Sequence, residues 1–395
     1  MRELLEYRLD EIAMVIDCEH KTAPRVESSN FYSVRTPDIS NGRIDYANCY
    51  RVDEDTYRMW TRRGLPEAGD IVLAREAPVG EVGLIQAGYN VCLGQRTVLI
   101  KVNQEIADSG YLTFYLCAPP VKQELKEQSG GSVVSHLNMK DIRAFSINLP
   151  DLPEQRAIAS VLSSLDAKID LLHRQNKTLE AMAETLFRQW FVERRPEDLE
   201  GEAEEGWVEG TLADVAMNIR DGVQVGAFNA DDRYVALEHI DRRRIALQQY
   251  GSSADVASNK YRFRANDILF GKLRPYFHKV CLASFAGICS TDVLVIRPKR
   301  PELLYYCLFA FFQDDVVEFA NAGSGGTRMP RTSWSDLSQY GISLPSGEKL
   351  NEFNNVVKPM MDKLQENIPQ TATLTALRDM LLPKLMSGEV RVELN

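Results

Sequence analysis

The pattern of apolar positions is most regular between Leu149 and Trp190, where apolar residues recur at alternating steps of four and three. This mean spacing of 3.5 residues is typical of a helix that packs against another helix in a coiled coil. Asp151 is a candidate N-cap, and Pro153 fits the first turn, where its missing N–H is not needed. The predicted seam consists of Ile158, Leu162, Leu165, Ile169, Leu172, Asn176, Leu179, Ala183, Leu186 and Trp190.

Asn176 is the polar residue of this seam. A single Asn at a core position of a coiled coil fixes the register of the two helices at some cost in stability. The alternative is that the helix belongs to the core of a bundle and that Asn176 faces a polar neighbour. The sequence favours the coiled coil and leaves the alternative open.

A second helix with a similar but less regular seam is predicted after Leu344, and Pro359 and Pro369 lie inside it. Because proline removes a helical hydrogen bond, each is expected to kink or break this helix. The two helices are expected to pair antiparallel with approximate two-fold symmetry. The second seam consists of Phe353, Val357, Met360, Leu364, Asn367, Thr371, Leu374, Arg378, Leu381 and Leu385.

The second helix belongs to an internal repeat. Leu149-Pro150 recurs as Leu344-Pro345, and the segment "SGGS" at Ser129 recurs as "SGGT" at Ser324, both 195 residues later. Several matches in the same order indicate a duplication. The predicted segments are a globular domain at 1–150, a helix at 151–195, a linker at 196–206, a second globular domain at 207–345 and a second helix at 346–395.

Each globular domain is expected to mix short strands with helices, because β-branched segments such as "TVLIKV" (Thr97–Val102) alternate with longer apolar stretches. The predicted fold class is α+β: two similar mixed domains, each followed by a long helix, with the helices in an antiparallel coiled coil of pseudo-two-fold symmetry. Each domain also carries a Gly-rich loop whose backbone N–H groups could approach a phosphate.

The composition is that of an ordinary protein of the cytoplasm. The chain has 395 residues, 44% of them hydrophobic, and lacks an apolar stretch of membrane-spanning length. The N-terminus is too acidic for a signal peptide, and seven cysteines without CxxC spacing indicate free thiols. The net charge is −10, but residues 151–206 carry −6 and residues 207–345 carry +1, so the acidic excess lies outside the second domain.

Sequence motifs of catalysis are missing. There is no GxxxxGK[ST] phosphate loop and no HExxH pair. The segment "CAPPV" (Cys117–Val121) lacks the polar and aromatic residues with which an adenine methyltransferase holds its base. Cys18 and His20 are too isolated to predict a zinc site. No catalytic residue, no metal and no cofactor of its own are therefore expected.

Three segments carry a resemblance to a known family: "LPDLPEQRAIASVLSSLDAKID" (Leu149–Asp170), its partial echo after Leu344, and "LLPKLMSGEVRV" near the C-terminus. They resemble the specificity (S) subunit of type I restriction–modification systems. The resemblance extends over essentially the whole chain, through the repeated order of globular domain, Gly-rich loop, Leu-Pro and long helix.

The resemblance implies a non-catalytic DNA-binding subunit for phage defence. Residues 1–150 and 207–345 would be target recognition domains, each reading one half of a bipartite site in double-stranded DNA. The helices would dock two methyltransferase (M) subunits, which use S-adenosylmethionine, and restriction (R) subunits with ATP and Mg would join through them. The alternative is a two-domain protein-binding scaffold without DNA recognition.

Candidate DNA-contacting residues are basic or polar side chains near predicted loops. A basic cluster alone is more often a solvated surface than a binding site, so these are expectations that rest on the family resemblance. The candidates are Lys21, Arg25, Arg75, Arg96, Ser132 and His136 in the first domain, and Arg220, Lys272, Arg274, Thr327, Arg328 and Arg331 in the second.

Overall fold

A computed structural model describes residues 4–129, 136–193, 208–229, 231–254, 256–323 and 330–393. The chain divides into two compact units, Met1–Ile169 with Leu374–Asn395, and Asp170–Thr373. The globular part of the first unit (residues 4–149) is called domain 1, and that of the second (residues 208–344) domain 2. The segment boundaries drawn from the sequence stay predictions.

Domain 1 is built from short elements and leads into a long helix. Their order is β1 (Leu5–Arg8), α1 (Leu9–Ile12), β2 (Ala13–Asp17), β3 (Phe31–Val34), β4 (Ile39–Ser40), β5 (Arg43–Ile44), β6 (Tyr50–Val52), α2 (Glu54–Trp60), β7 (Ile71–Ala74), β8 (Val82–Leu84), β9 (Asn90–Leu93), β10 (Thr97–Val102), α3 (Ser109–Cys117), α4 (Pro119–Glu127), α5 (Met139–Ala144), β11 (Ser146–Leu149) and α6 (Leu152–Phe187), which ends in a π-helical turn, Arg188–Val192.

The central sheet of domain 1 is antiparallel, with strand order β2-β10-β7-β8. Leu99 of β10 lies opposite Ile16 of β2 and Val72 of β7. Every residue of β7 is buried, as expected for a strand covered on both faces. A smaller sheet, β6-β3-β9, pairs β3 with β9 in parallel. The remaining pairs are β1 with β11 and β4 with β5.

Domain 2 has a similar series of elements. They are β12 (Val208–Thr211), α7 (Leu212–Val215), β13 (Ala216–Ile219), β14 (Gly222–Val223), β15 (Arg233–Val235), β16 (Gly251–Ser252), β17 (Lys260–Phe263), β18 (Ile268–Gly271), β19 (Val280–Leu282), β20 (Gly287–Cys289), β21 (Val293–Pro298), α8 (Leu304–Phe312), α9 (Asp314–Ala322), α10 (Trp334–Leu337) and β22 (Gly341–Leu344), followed by the long helix α11 (Gly347–Ser387).

The two domains repeat one topology. The sheet β13-β21-β18-β19 of domain 2 has the same order as β2-β10-β7-β8 of domain 1. The pairs β12-β22 and β15-β20 repeat β1-β11 and the parallel pair β3-β9. Since a long helix follows each domain, the predicted class of two similar mixed domains with long helices is confirmed.

The most apolar segment of the chain is a core helix. In α8, Tyr305–Phe312 are all buried against the sheet and helices of the second unit. Its nine residues are too few to cross a bilayer. Among the helices of the described ranges, none combines the length and the apolar character of a membrane span.

Segments of α6 and α11 pack antiparallel within the second unit. The ring of Phe353, early in α11, lies 6.0 Å from the ring of Phe187, late in α6. Further along α11, Asn367 Nδ2 donates a hydrogen bond of 2.8 Å to Oδ1 of Asn176, which lies earlier in α6. Residue numbers therefore rise along one helix and fall along the other, as predicted.

The predicted seam largely coincides with the buried side chains of the two helices. Met361 is an exception, since it is fully buried whereas Met360, the predicted seam residue, is only partly buried. A straight helix with 3.6 residues per turn drifts away from a 3.5-residue pattern, which explains the shift by one position. The buried seam residues are Ile158, Leu162, Ile169, Leu172, Asn176, Ala183, Phe353, Val357, Leu364, Asn367 and Leu385; the partly buried ones are Leu165, Leu179, Leu186, Trp190, Met360, Thr371, Leu374, Arg378 and Leu381.

Proline was expected to kink or break the second helix. The expectation of a break is wrong, because α11 is continuous from Gly347 to Ser387. Both Pro359 and Pro369 are exposed. Each proline leaves the carbonyl four residues earlier, at Asn355 or Gln365, without its helical donor, and neither of these two residues is buried. Packing of the opposite face of α11 holds the helix despite the missing bonds.

The Asn176–Asn367 pair offers a test of register in the second unit. Both side chains are buried, so replacing only Asn367 with Leu should leave a buried amide unpaired and cost about 1–3 kcal/mol of unfolding free energy. Replacing both residues with Leu should be nearly neutral or stabilising. A double-mutant cycle from urea unfolding measures the coupling. Additive losses in the cycle would show that the pair does not act as a unit.

Candidate nucleic-acid interface

In domain 1, backbone hydrogen bonds join the segment after the Gly-rich loop to the end of β7. The Leu137 N–H donates to the carbonyl of Arg75 at 3.2 Å, and the Arg75 N–H donates to the carbonyl of Arg96 at 2.9 Å. Three candidate residues from distant parts of the sequence, Arg75, Arg96 and His136, are thereby brought to one place. This arrangement is called the loop junction.

Domain 2 has an equivalent loop junction. The Thr332 N–H donates to the carbonyl of Lys272, and the Lys272 N–H donates to the carbonyl of Asp292, both at 2.9 Å. The matching bonds align Lys272 with Arg75 and Asp292 with Arg96. Arg331 precedes Thr332 as His136 precedes Leu137, so these two residues are also equivalent.

Arg75 is buried, with only 6% of its surface exposed. Its Nε donates to the Leu137 carbonyl at 2.9 Å, its Nη1 to Asp17 Oδ1 at 2.9 Å and its Nη2 to His136 Nε2 at 2.7 Å. With these partners the guanidinium is engaged inside the domain. We therefore interpret Arg75 as a residue that positions His136, and a direct DNA contact stays a prediction for the exposed candidates.

His136 links Arg75 to Glu76. Since a guanidinium can only donate, His136 Nε2 accepts from Arg75, and the other ring nitrogen donates to Glu76 Oε1 at 2.5 Å. The other carboxylate oxygen, Oε2, lies 2.9 Å from Nε of Arg96, whose side chain is half-exposed. Arg96 has a φ of 68°, a left-handed conformation uncommon outside glycine. Glu76 thus contacts both His136 and Arg96, the other two candidates at the loop junction of domain 1.

The loop junction of domain 2 is richer in positive charge. Arg331 forms an ion pair with Asp292. The pKa of Lys272 is lowered, first by burial of its ammonium group and then by the nearby charge of Arg331, and Arg220 acts in the same direction. Asp292 acts in the opposite direction. Arg220 and Arg331 therefore both lie within electrostatic reach of Lys272.

Arg274 lies beside this junction. Its N–H donates to the carbonyl of Pro330 at 2.8 Å, and its guanidinium lies 6.0 Å from the ring centre of Phe277. The Nε atom of Arg274 is buried and has no hydrogen-bond partner within the described part of the chain. A DNA contact of Arg274 stays a prediction.

Lys21 and Arg25 are exposed and lie outside the bonds of the loop junction. The guanidinium of Arg25 lies 5.5 Å from the ring centre of Tyr50, and that of Arg35 lies 3.6 Å from the same ring. This stacked group belongs to the smaller sheet of domain 1. Ser132, Thr327 and Arg328, three further candidates, lie outside the described residues.

The sequence reasoning missed the acidic members of these clusters, Asp17, Glu76 and Asp292. Carboxylates repel phosphates, so a search for DNA-binding residues passes over them. Their partners are also distant in sequence, as with Asp17 and Arg75. The available signal was position: Glu76 follows Arg75 directly, and Asp292 precedes a strand-like segment in the repeat.

One group of potential metal ligands occurs among the described residues, Asp17, Cys18 and His20. His20 Nε2 lies 2.9 Å from Asp17 Oδ2, and His20 Nδ1 lies 3.9 Å from Cys18 Sγ. The other oxygen of Asp17 accepts from the guanidinium of Arg75. A positive charge already bound to this carboxylate disfavours a second cation, and the group carries no metal-site assignment.

Two relatives resemble the chain over most of its length. The type I restriction enzyme MjaIX specificity subunit of Methanocaldococcus jannaschii is 27% identical over 347 residues, covering 82% of this chain and 78% of the relative. The type I restriction enzyme HindI specificity subunit of Haemophilus influenzae is 22% identical over 375 residues, covering 76% of this chain and 82% of the relative.

A solved structure supports the fold. The crystal structure of the type I restriction–modification system S subunit from M. genitalium matches 100% of this chain and 97% of its own, with a TM-score of 0.62 and 15% identity. The sequence model described as "Type I restriction modification DNA specificity domain" matches residues 2–181 and 204–372, one match for each repeat. The chain therefore belongs to the family of type I restriction–modification DNA specificity proteins.

Proposed function

We propose that this chain is the DNA-recognition subunit of a type I restriction–modification complex and that each domain reads one half of a bipartite target. The observation that carries the proposal is the repeated loop junction, which holds basic side chains beside a Gly-rich segment in both domains. Basic side chains gathered at such a junction suit contacts to the phosphates of duplex DNA. The family membership supports the same role.

The partners follow from this role. Two methyltransferase subunits dock on α6 and α11 and supply S-adenosylmethionine chemistry, and restriction subunits with ATP and Mg join through them, in the cytoplasm. The support from this chain is its exposed apolar helix surface, since Leu171 and Met182 of α6 and Met380 of α11 are each about half-exposed. Exposed apolar side chains on a helix suit docking of a protein partner.

The chain alone should neither methylate nor cleave DNA, because the catalytic groups belong to its partners. Incubation with labelled S-adenosylmethionine and duplex DNA should give no labelled DNA. Addition of the methyltransferase subunit should give adenine methylation at one bipartite sequence. If the assembled complex binds no DNA, the protein-binding scaffold is the correct function, and methyl transfer by the isolated chain would contradict the non-catalytic role.

A further inference from the structure

The two loop junctions are equivalent in backbone but differ in charge. Asp17 ends β2 opposite Val98 of β10. In domain 2, Ile219 ends β13 opposite Val295 of β21, so the next residue, Arg220, occupies the position of Asp17. An acidic residue in domain 1 is thus replaced by a basic residue in domain 2. The other replacements are Arg75 by Lys272, Glu76 by Leu273, Arg96 by Asp292 and His136 by Arg331.

Domain 1 neutralises its own junction. The carboxylates of Asp17 and Glu76 each face a guanidinium, at 2.9 Å from Arg75 and from Arg96 respectively. The ring of His136 is hydrogen-bonded to both Arg75 and Glu76. A phosphate approaching Arg96 must therefore compete with the carboxylate of Glu76, which already occupies the guanidinium.

Domain 2 has three cations and one carboxylate at the five positions equivalent to those of domain 1. Asp292 pairs with Arg331, and Leu273 replaces the carboxylate that Glu76 supplies in domain 1. The burial of Lys272 and the neighbouring charges of Arg331 and Arg220 all disfavour the charged form of its ammonium group and lower its pKa. Holding like charges together in this way has a cost that a bound anion offsets. Arg331 is more than half-exposed, so an anion can reach it.

Asp292 competes for Arg331 as Glu76 competes for Arg96, and the two domains differ in the charges around this pair. Lys272 and Arg220 leave an excess of positive charge in domain 2, whereas two carboxylates balance Arg75 and Arg96 in domain 1.

We propose that the two domains contribute unequally to DNA binding: Arg220, Lys272 and Arg331 of domain 2 form a site for backbone phosphate, whereas Glu76 keeps Arg96 of domain 1 from binding phosphate. Domain 2 then supplies most of the salt-dependent affinity. This inference rests on the proposed function, because it assigns the phosphate contacts of the same DNA interface.

Salt titration of DNA binding tests the inequality. The complex of the full chain with its methyltransferase subunit binds fluorescent duplex DNA, either with the methylated target sequence or with a scrambled one. R331Q should lower the slope of log K against log salt by about 0.9, the value for one phosphate contact, and weaken both duplexes equally. R96Q, the matched change in domain 1, should alter the slope by less than about a third of that amount.

E76Q provides the opposite test. Gln keeps the shape of Glu76 and an oxygen to accept from His136, but it removes the charge that occupies Arg96. The salt slope should therefore become steeper by about 0.9 and both duplexes should bind more tightly. Unchanged circular dichroism and thermal midpoints for all three variants separate these effects from misfolding.

The outcomes are distinguishable. If the unaltered complex fails to bind either duplex, the proposed function fails. If it binds with normal salt dependence but R331Q and R96Q lower the slope equally, or E76Q leaves it unchanged, only the inference of unequal domains is overturned.

Discussion

Replacing residues 1–150 with the corresponding domain of a relative is expected to change one half of the recognised DNA sequence completely and to leave the other half unchanged. The reason is that domain 1 has its own core and its own loop junction. Base contacts on one half-site then depend only on side chains within that domain. Sequencing of methylated adenines in a host that carries the chimaera measures both halves at once.

The exchange must respect one contact at the domain boundary. Gln155, in the first turn of α6, accepts from the Asp108 N–H at 2.9 Å and donates to the carbonyls of Pro150 and Ile106. Gln155 is buried, so a donor domain with different geometry here would leave its amide unpaired. A donor with Gln at the equivalent position avoids this, and the reciprocal exchange of residues 207–345 is the matched control. A change in both halves after either exchange would refute independent reading.

Replacing Glu180 with Ala is expected to destabilise the second unit by about 3–5 kcal/mol, because it breaks a buried ion pair. Glu180 lies on α6, with one carboxylate oxygen 2.7 Å from Arg244 Nε and the other accepting from the Ala246 N–H at 2.9 Å. Urea or thermal unfolding measures the loss. The matched control is Glu193→Ala, which breaks an exposed pair with Arg188 and should cost less than about 1 kcal/mol. Equal losses would contradict the assignment.

The pH dependence of this contact has a defined sign. Burial raises the pKa of the Glu180 carboxyl, and Arg244 and the Ala246 amide only partly oppose this. The folded state therefore holds the proton to higher pH than the unfolded state. The extra stability that comes from this stronger proton binding is full below the unfolded pKa and is lost as the pH rises through the folded pKa. Above that pH the ion pair with Arg244 recovers only part of the cost of burying the carboxylate charge. Glu180→Gln, which cannot titrate, should remove this part of the pH dependence.

The sequence could predict what depends on periodicity and repetition. The 3.5-residue pattern identified Ile158, Leu162 and Asn176 as buried, and the repeat predicted two similar domains. The helix-breaking tendency of proline was a less reliable guide, as Pro359 and Pro369 show. Each exposed proline removes one backbone hydrogen bond from α11, and packing of the buried face of the helix compensates for the loss.

The candidate site could be predicted only in part, because its geometry depends on residues far apart in the sequence. Arg75 is a candidate DNA contact by its charge, yet it is buried and bonded to Asp17 and His136, which lie 58 and 61 positions away. The role of Glu76 can be recognised only from its position between His136 and Arg96. From its residue type alone, Glu76 is merely a carboxylate that would repel phosphate. Side-chain partners of this kind appear only once the strands are paired.

The main-chain bonds of the loop junction do not depend on the side chains that are proposed to contact DNA. These bonds run between main-chain atoms, from Leu137 to Arg75 to Arg96 in domain 1 and from Thr332 to Lys272 to Asp292 in domain 2. The same main-chain bonds form in both domains although Arg96 of domain 1 is replaced by Asp292 in domain 2. Under the proposed function, mutation at these positions can change the affinity for DNA phosphates while the main-chain scaffold stays intact. The strength of DNA binding can then evolve faster than the architecture of the domains.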